Sequence, residues 1–135
     1  MDRLRRTNRH GVPNWILALG GLLAVFGTLI GLVAFAAPDD FAGDAIDATG
    51  LARGWGARNT ALALAMGAAV ALGTRTALLV SFTGALGREI GDTVNGLAES
   101  DGTAPVAITV LVLDVLVLRT LARLEPVTEP VRRTA

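Results

Sequence analysis

Apolar positions run without a charge from Trp15 to Ala37, 23 residues in all. That is enough helix to cross a hydrocarbon layer about 30 Å thick. Three further apolar stretches follow, Gly54 to Gly73, Thr76 to Leu97 and Ala104 to Leu121. The pattern predicts an all-α fold, a four-helix transmembrane bundle. Within the first stretch Gly20, Ala24, Gly27, Gly31 and Ala34 fall on one helical stripe, and Ala63, Gly67 and Ala71 repeat the small-residue spacing in the second. Small stripes let helices approach closely, and four spans offer partners inside the chain, so packing within the molecule is preferred to dimerisation. Gly73-Thr74-Arg75 reads as a tight turn with glycine in the left-handed position. Ser100-Asp101-Gly102-Thr103 is turn chemistry, and Pro105 suits the first turn of a fourth helix.

The charge layout orients these spans. Arg3, Arg5, Arg6 and Arg9 precede the first, Arg75 sits in the second connection, and Arg119, Arg123, Arg132 and Arg133 close the chain. Asp39, Asp40, Asp44, Asp47, Glu99 and Asp101 fall on the other side, with Arg53. The positive-inside rule then places both termini in the cytoplasm. The expected organisation is a basic cytoplasmic arm over 1–14 and a bundle over 15–122 with spans 15–37, 54–73, 76–97 and 104–121. An acidic outer loop covers 38–53, and a disordered cytoplasmic tail covers 123–135. Ala34-Phe35-Ala36 after a basic arm resembles a signal-peptide cleavage site, but the apolar run exceeds the usual h-region of about 7 to 15 residues. A retained helix is the preferred reading.

Composition narrows the chemistry. Zero cysteines exclude disulfides, thiolate metal sites and thiol redox catalysis, and the lone histidine, His10, removes His-rich metal centres. His10 lies in the basic arm and is expected to be solvated. All twelve basic residues are arginine, a usage that suggests a GC-rich bacterial genome. The four aspartates of the outer loop match no EF-hand spacing, so a solvated loop with a short interfacial helix is favoured over a calcium site. Trp15 and Trp55 read as interfacial anchors, Ser81 as a helix-packing hydroxyl and Ser100 as a turn residue. No metal, cofactor or nucleic-acid partner is expected; the lipid bilayer is the expected surrounding.

Arg58, Arg88, Glu89, Asp92 and Asp114 lie within the apolar spans. Charge at membrane depth is costly and marks a structural pair or a functional site. With a rise of 1.5 Å per residue, Arg88 lies about 18 Å from the cytoplasmic edge and Asp114 about 15 Å from the outer edge, one layer. Arg58, about 6 Å below the outer surface, falls level with Asp92. Two cross-helix pairs are therefore geometrically allowed, Arg88 with Asp114 and Arg58 with Asp92, while Arg88 and Asp92 share a helix face at i,i+4 and Glu89 and Asp92 are neighbours at i,i+3. Asn59 and Asn95 are expected to add amide hydrogen bonds in the same outer layer. Two positive and three negative groups leave one carboxylate over, and Glu89 is the expected remainder. These groups either lock helices together or line a cavity for a small polar or lipid-derived ligand or for protons.

With Arg58-Asn59 opening the second span, arginine in the short turn, and Gly87-Arg88-Glu89-Ile90-Gly91-Asp92 in the third, the chain resembles uncharacterised small four-helix bacterial membrane proteins, loosely akin to DoxX-like proteins. The resemblance covers about Trp15 to Leu121 and implies a four-helix bundle with Arg58, Glu89 and Asp92 as shared features. It brings no reaction with it. Small multidrug exporters carry an essential glutamate in their first helix, which is uncharged here, and vitamin K epoxide reductase-like enzymes need cysteines. Fluoride channels depend on phenylalanine-rich helix breaks, whereas Phe26, Phe35, Phe41 and Phe82 are scattered. No phosphate loop or serine–histidine–aspartate set supports an enzyme. The expected function is a non-enzymatic multi-pass protein of the bacterial inner membrane. A proton-coupled transporter or channel subunit is the alternative, and it would require a homo-oligomer because four short helices enclose little volume. An enzyme of lipid or quinone metabolism ranks third.

Overall fold

The computed structural model describes residues 7–8, 10–39, 48–99 and 104–124. Among them are four α-helices and no strand: α1 (Asn14–Ala36), α2 (Ala48–Leu72), α3 (Arg75–Glu99) and α4 (Ala104–Arg123). The expectations for the first residues of the arm, for most of the acidic loop (40–47), for the turn 100–103 and for the tail (125–135) lie outside the described residues. Two helices, α1 and α4, are long and apolar enough to cross a membrane; α2 and α3, which carry the internal charges, fall short of that measure.

α1 and α2 form the most extensive pair, α3 and α4 the next, and a narrower seam between α2 and α3 joins the two hairpins. The glycine stripe of α1 is spent on the first pair. At its crossing point a Cβ on Gly31 would stand 2.8 Å from the Gly56 carbonyl oxygen, and one on Gly56 would stand 2.6 Å from the Gly31 carbonyl oxygen. Only two glycines permit backbones to meet in this way. Gly27 lies against Ala63 lower on the same seam. This use explains why α2 starts at Ala48 rather than at Gly54. Gly54-Trp55-Gly56 reads as a helix boundary, and each glycine costs a helix about 1 kcal/mol, yet the close approach at Gly56 outweighs that penalty.

The hydrophobic core gathers at one end, where the start of α1, the α2–α3 turn and the end of α4 meet. Ile16, Met66, Leu78, Phe82, Val117 and Leu121 are buried there together with Val12. Residues just ahead of α1 close this end. The Asn8 amide Nδ2 donates to the Gly73 carbonyl at 2.7 Å, and its Oδ1 accepts the backbone N–H groups of His10 and Val12, each at 2.9 Å. His10 is thus half-buried in a folded clasp rather than solvated. Gly73 adopts φ +63° and accepts no side chain, since a Cβ would stand 2.7 Å from Asn8 Nδ2. The Thr74 hydroxyl then caps α3 by accepting the Ala77 N–H at 3.4 Å. Arg75 reaches across to α4, where its Nε donates to the Leu121 carbonyl at 2.7 Å and its Nη2 to that of Ala122 at 3.3 Å. A cation on the last carbonyls of a helix satisfies acceptors that have no intrahelical partner.

Candidate functional site

Beyond the core, toward the opposite end, the interior turns polar. α2 contributes Arg58 and Asn59, α3 contributes Arg88, Glu89 and Asp92, and α4 contributes Asp114. Four of the charges form an alternating chain. Arg58 Nη2 donates to Asp92 Oδ1 at 3.1 Å, which ties α2 to α3 as expected. Asp92 Oδ2 stands 3.9 Å from Arg88 Nε, one helical turn below it, and Arg88 Nη2 is ion-paired to Glu89. Asn59 fixes the guanidinium from the other helix: Arg88 Nη1 donates to Asn59 Oδ1 at 3.1 Å, while Asn59 Nδ2 donates to the Trp55 carbonyl at 3.0 Å. Both polar ends of the amide are thereby used, which sets its orientation.

The pairing differs from the sequence expectation at one point. Arg88 is bound to Glu89 and Asn59, and Asp114 is the carboxylate left over. The physical reason is the reach of a long side chain: placing groups in one layer by helical rise does not say which way an arginine leans. Here the Asn59 amide draws it toward α2, while Asp92 and the buried Glu89 hold it from its own helix. Asp114 has no exposed surface, and neither of its oxygens has a hydrogen-bond partner among the described residues. It remains within electrostatic range of Arg88. Arg88 Nε and the Thr93 hydroxyl are also buried without a hydrogen-bond partner among the described residues.

Exposure grades the layer from rim to interior. The Arg58 and Asp92 side chains are 49% and 27% exposed, Arg88 and Glu89 only 17% and 5%. Asn95, expected to contribute, is exposed and stands apart from these bonds. Ser81 acts in packing, as expected, with its hydroxyl 3.5 Å from the Met66 sulfur. An open groove of about 550 Å³ between α1 and α2, walled by Ala24, Thr28, Ala63, Gly67 and Ala71 among others, contains no charged residue. A smaller depression of about 380 Å³ beside Trp55 includes Arg58 in its wall. Among the described residues no three His, Cys, Asp or Glu side chains are grouped to hold a metal ion.

Two contributors carried no sequence signal as site residues. Asn8 and Arg75 act at the closed end, through backbone carbonyls, and only the turn chemistry of Asn-x-His-Gly and the Gly-Thr-Arg sequence hint at them. Compared with known proteins, the chain matches no family model, no curated protein and no solved structure.

Proposed function

We propose that this chain is a multi-pass protein of the bacterial inner membrane, with four spans and with its N-terminal and C-terminal segments on the cytoplasmic side. In this reading it is a non-enzymatic protein whose outer polar layer fastens α2 to α3 and keeps one acceptor, Asp114, for a small polar ligand. Kinship with small four-helix membrane proteins belongs to the same proposal. The observation that carries it is an inverted polarity. Glu89, Asp114 and Asn59 are buried among helices, while Leu22, Val25, Phe26 and Leu29 of α1 are between 57% and 62% exposed. Water favours the opposite arrangement, and a contiguous exposed apolar surface of this kind calls for lipid or protein against it. The paired charges of α2 and α3 account for the failure of these two helices to look apolar, because charge inside a bilayer is tolerated where it faces the bundle and is paired.

The geometry favours a fastening role for most of the layer. Arg58–Asp92 and Arg88–Asn59 join α2 to α3, and a charge-assisted contact between helices is strong where water is scarce. Asp114 favours the second reading, a proton-coupled function, because an interior carboxyl without donors is a group that exchanges a proton or meets a cation.

Orientation is tested with introduced cysteines, which report alone because the chain has none of its own. Asp44→Cys is expected to react with an impermeant maleimide in right-side-out vesicles. Thr74→Cys and Ala135→Cys are expected to react only in inverted vesicles. Labelling of all three from the same side overturns the four-span arrangement.

A further inference from the structure

Charge and geometry together single out one ligand for Asp114. Arg58 and Arg88 supply two positive charges, and Glu89, Asp92 and Asp114 supply three negative ones. The first four are joined into a chain of pairs, and the surplus negative charge falls on the residue with no exposed surface and no hydrogen-bond donor among the described residues. A single positive unit restores neutrality. The donor set does not suit a metal ion: among the described residues the only other side-chain oxygen buried without a partner is the Thr93 hydroxyl, and a hard cation wants six or more oxygen ligands. The helical backbone carbonyls around it are already committed. A proton needs none of these ligands.

The groups around Asp114 are few. Arg88 of α3 is the charged group that acts on Asp114, and Arg88 is itself held by Glu89 and Asp92 on its own helix and by the Asn59 amide of α2, with Arg58 beyond Asp92. α1 is uncharged along its length, and Arg119 on α4 itself is exposed and lies more than a turn toward the closed end. Arg88 is the only one of the two arginines that interacts with both Glu89 and Asp114. Its Nε stands 3.9 Å from Asp92 Oδ2, too far for a hydrogen bond, and is buried with no hydrogen-bond partner among the described residues.

Resting on the membrane reading above, we propose that the polar layer binds one exchangeable proton, shared between Asp114 and Glu89, and that Arg88 changes partner as the proton moves. The structure shows Arg88 holding the Glu89 carboxylate and Asp114 without a hydrogen-bond partner among the described residues, the state to which we assign the proton on Asp114. When the Asp114 O–H bond breaks, the guanidinium turns to the new carboxylate, and Glu89, having lost its cation, takes up the proton. Two arginines, three carboxylates and one proton sum to zero in both states, so neither state leaves an uncompensated charge inside the bundle. The half-exposed Arg58–Asp92 edge is the side on which water reaches the layer.

The test uses the full-length protein in its native membrane and an apolar carbodiimide, dicyclohexylcarbodiimide. A protonated carboxyl adds across its N=C bond and rearranges to a stable N-acylurea where water is scarce; an ionised, arginine-bound carboxylate does not. Peptide mapping by mass spectrometry is expected to find the adduct on Asp114, declining as the pH is raised, and absent from Asp114→Asn. In Glu89→Gln the layer has two positive and two negative charges. Asp114 is then ionised against Arg88, and its labelling is expected to fall severalfold at the same pH. An unlabelled Asp114 in the wild-type protein, or labelling in Glu89→Gln equal to wild type, overturns the proposal. The wild-type titration stands by itself if Glu89→Gln fails to accumulate. Alkaline carbonate extraction of the same membranes separates the two claims. Chain that stays in the membrane with Asp114 unlabelled removes the proton site alone, and chain that is released removes the membrane reading beneath it.

Discussion

Arg88 decides how the polar layer is wired, because two helices offer it acceptors and it is too long for its Cα position to choose among them. The charged positions themselves were legible: an arginine or carboxylate inside an apolar run stands out in any reading of hydropathy, and all five lie within helices. Partner choice was not legible. It depends on side-chain direction and on a neutral acceptor, Asn59, whose amide is turned by its own bond to the Trp55 carbonyl. The rim-to-interior gradient gives a prediction at this scale. Arg58 is half exposed, so Arg58→Gln is expected to cost no more than about 1 kcal/mol. Glu89→Ala removes the buried carboxylate that Arg88 holds; Asp92 and Asp114 still balance the guanidinium, but the pair and its packing are lost, and the change is expected to cost about 1–3 kcal/mol. Thermal unfolding in mild detergent compares the two as shifts in Tm. Equal shifts would show that burial does not grade the layer.

Helices were legible as elements wherever an apolar run was long, and their ends were not always so. α2 continues through Gly54-Trp55-Gly56 because tertiary contact at Gly56 overrides local propensity, and no single-helix argument contains α1. The two glycines of that tripeptide consequently behave in opposite ways. A methyl group on Gly56 would meet the Gly31 carbonyl oxygen at 2.6 Å and the Phe35 nitrogen at 2.8 Å, both backbone atoms that have no rotamer to retreat into. Gly56→Ala is expected to splay α1 from α2 and to cost about 1–3 kcal/mol. Gly54 has open space at the same test position. Gly54→Ala is expected to stabilise by up to about 1 kcal/mol through helix propensity alone. The difference in sign is the diagnostic, read from paired melts of the two variants. The clasp at the closed end belongs to the same scale. Asn8→Ala removes one hydrogen bond that joins the chain ahead of α1 to the α2–α3 turn and two that fold that chain locally onto His10 and Val12, and is expected to cost about 1–3 kcal/mol, with faster amide exchange at Val12.

At the scale of the molecule, the chain has a buried polar layer, a small apolar core at one end, and a broad apolar exterior. The exterior is the feature that discriminates between surroundings. Phe26 lies near the middle of α1 and is 61% exposed, with no charged residue on that helix. If α1 spans a bilayer, Phe26 faces hydrocarbon, and Phe26→Arg places a guanidinium at the centre of the span at a cost of about 2.5–3.5 kcal/mol on the insertion scale. If the surface faces water, the same change removes an exposed aromatic ring and adds a solvated charge, which leaves stability within about 0.5 kcal/mol and raises solubility. The two surroundings therefore predict opposite signs for one substitution. The membrane reading expects a severalfold loss of carbonate-resistant, membrane-integrated protein for Phe26→Arg. It also expects no comparable loss for Thr76→Arg, an exposed position at the start of α3 beside Arg75, where a long cation reaches the interface. Undiminished integration of Phe26→Arg, or its gain in the soluble fraction, places the apolar exterior against something other than lipid.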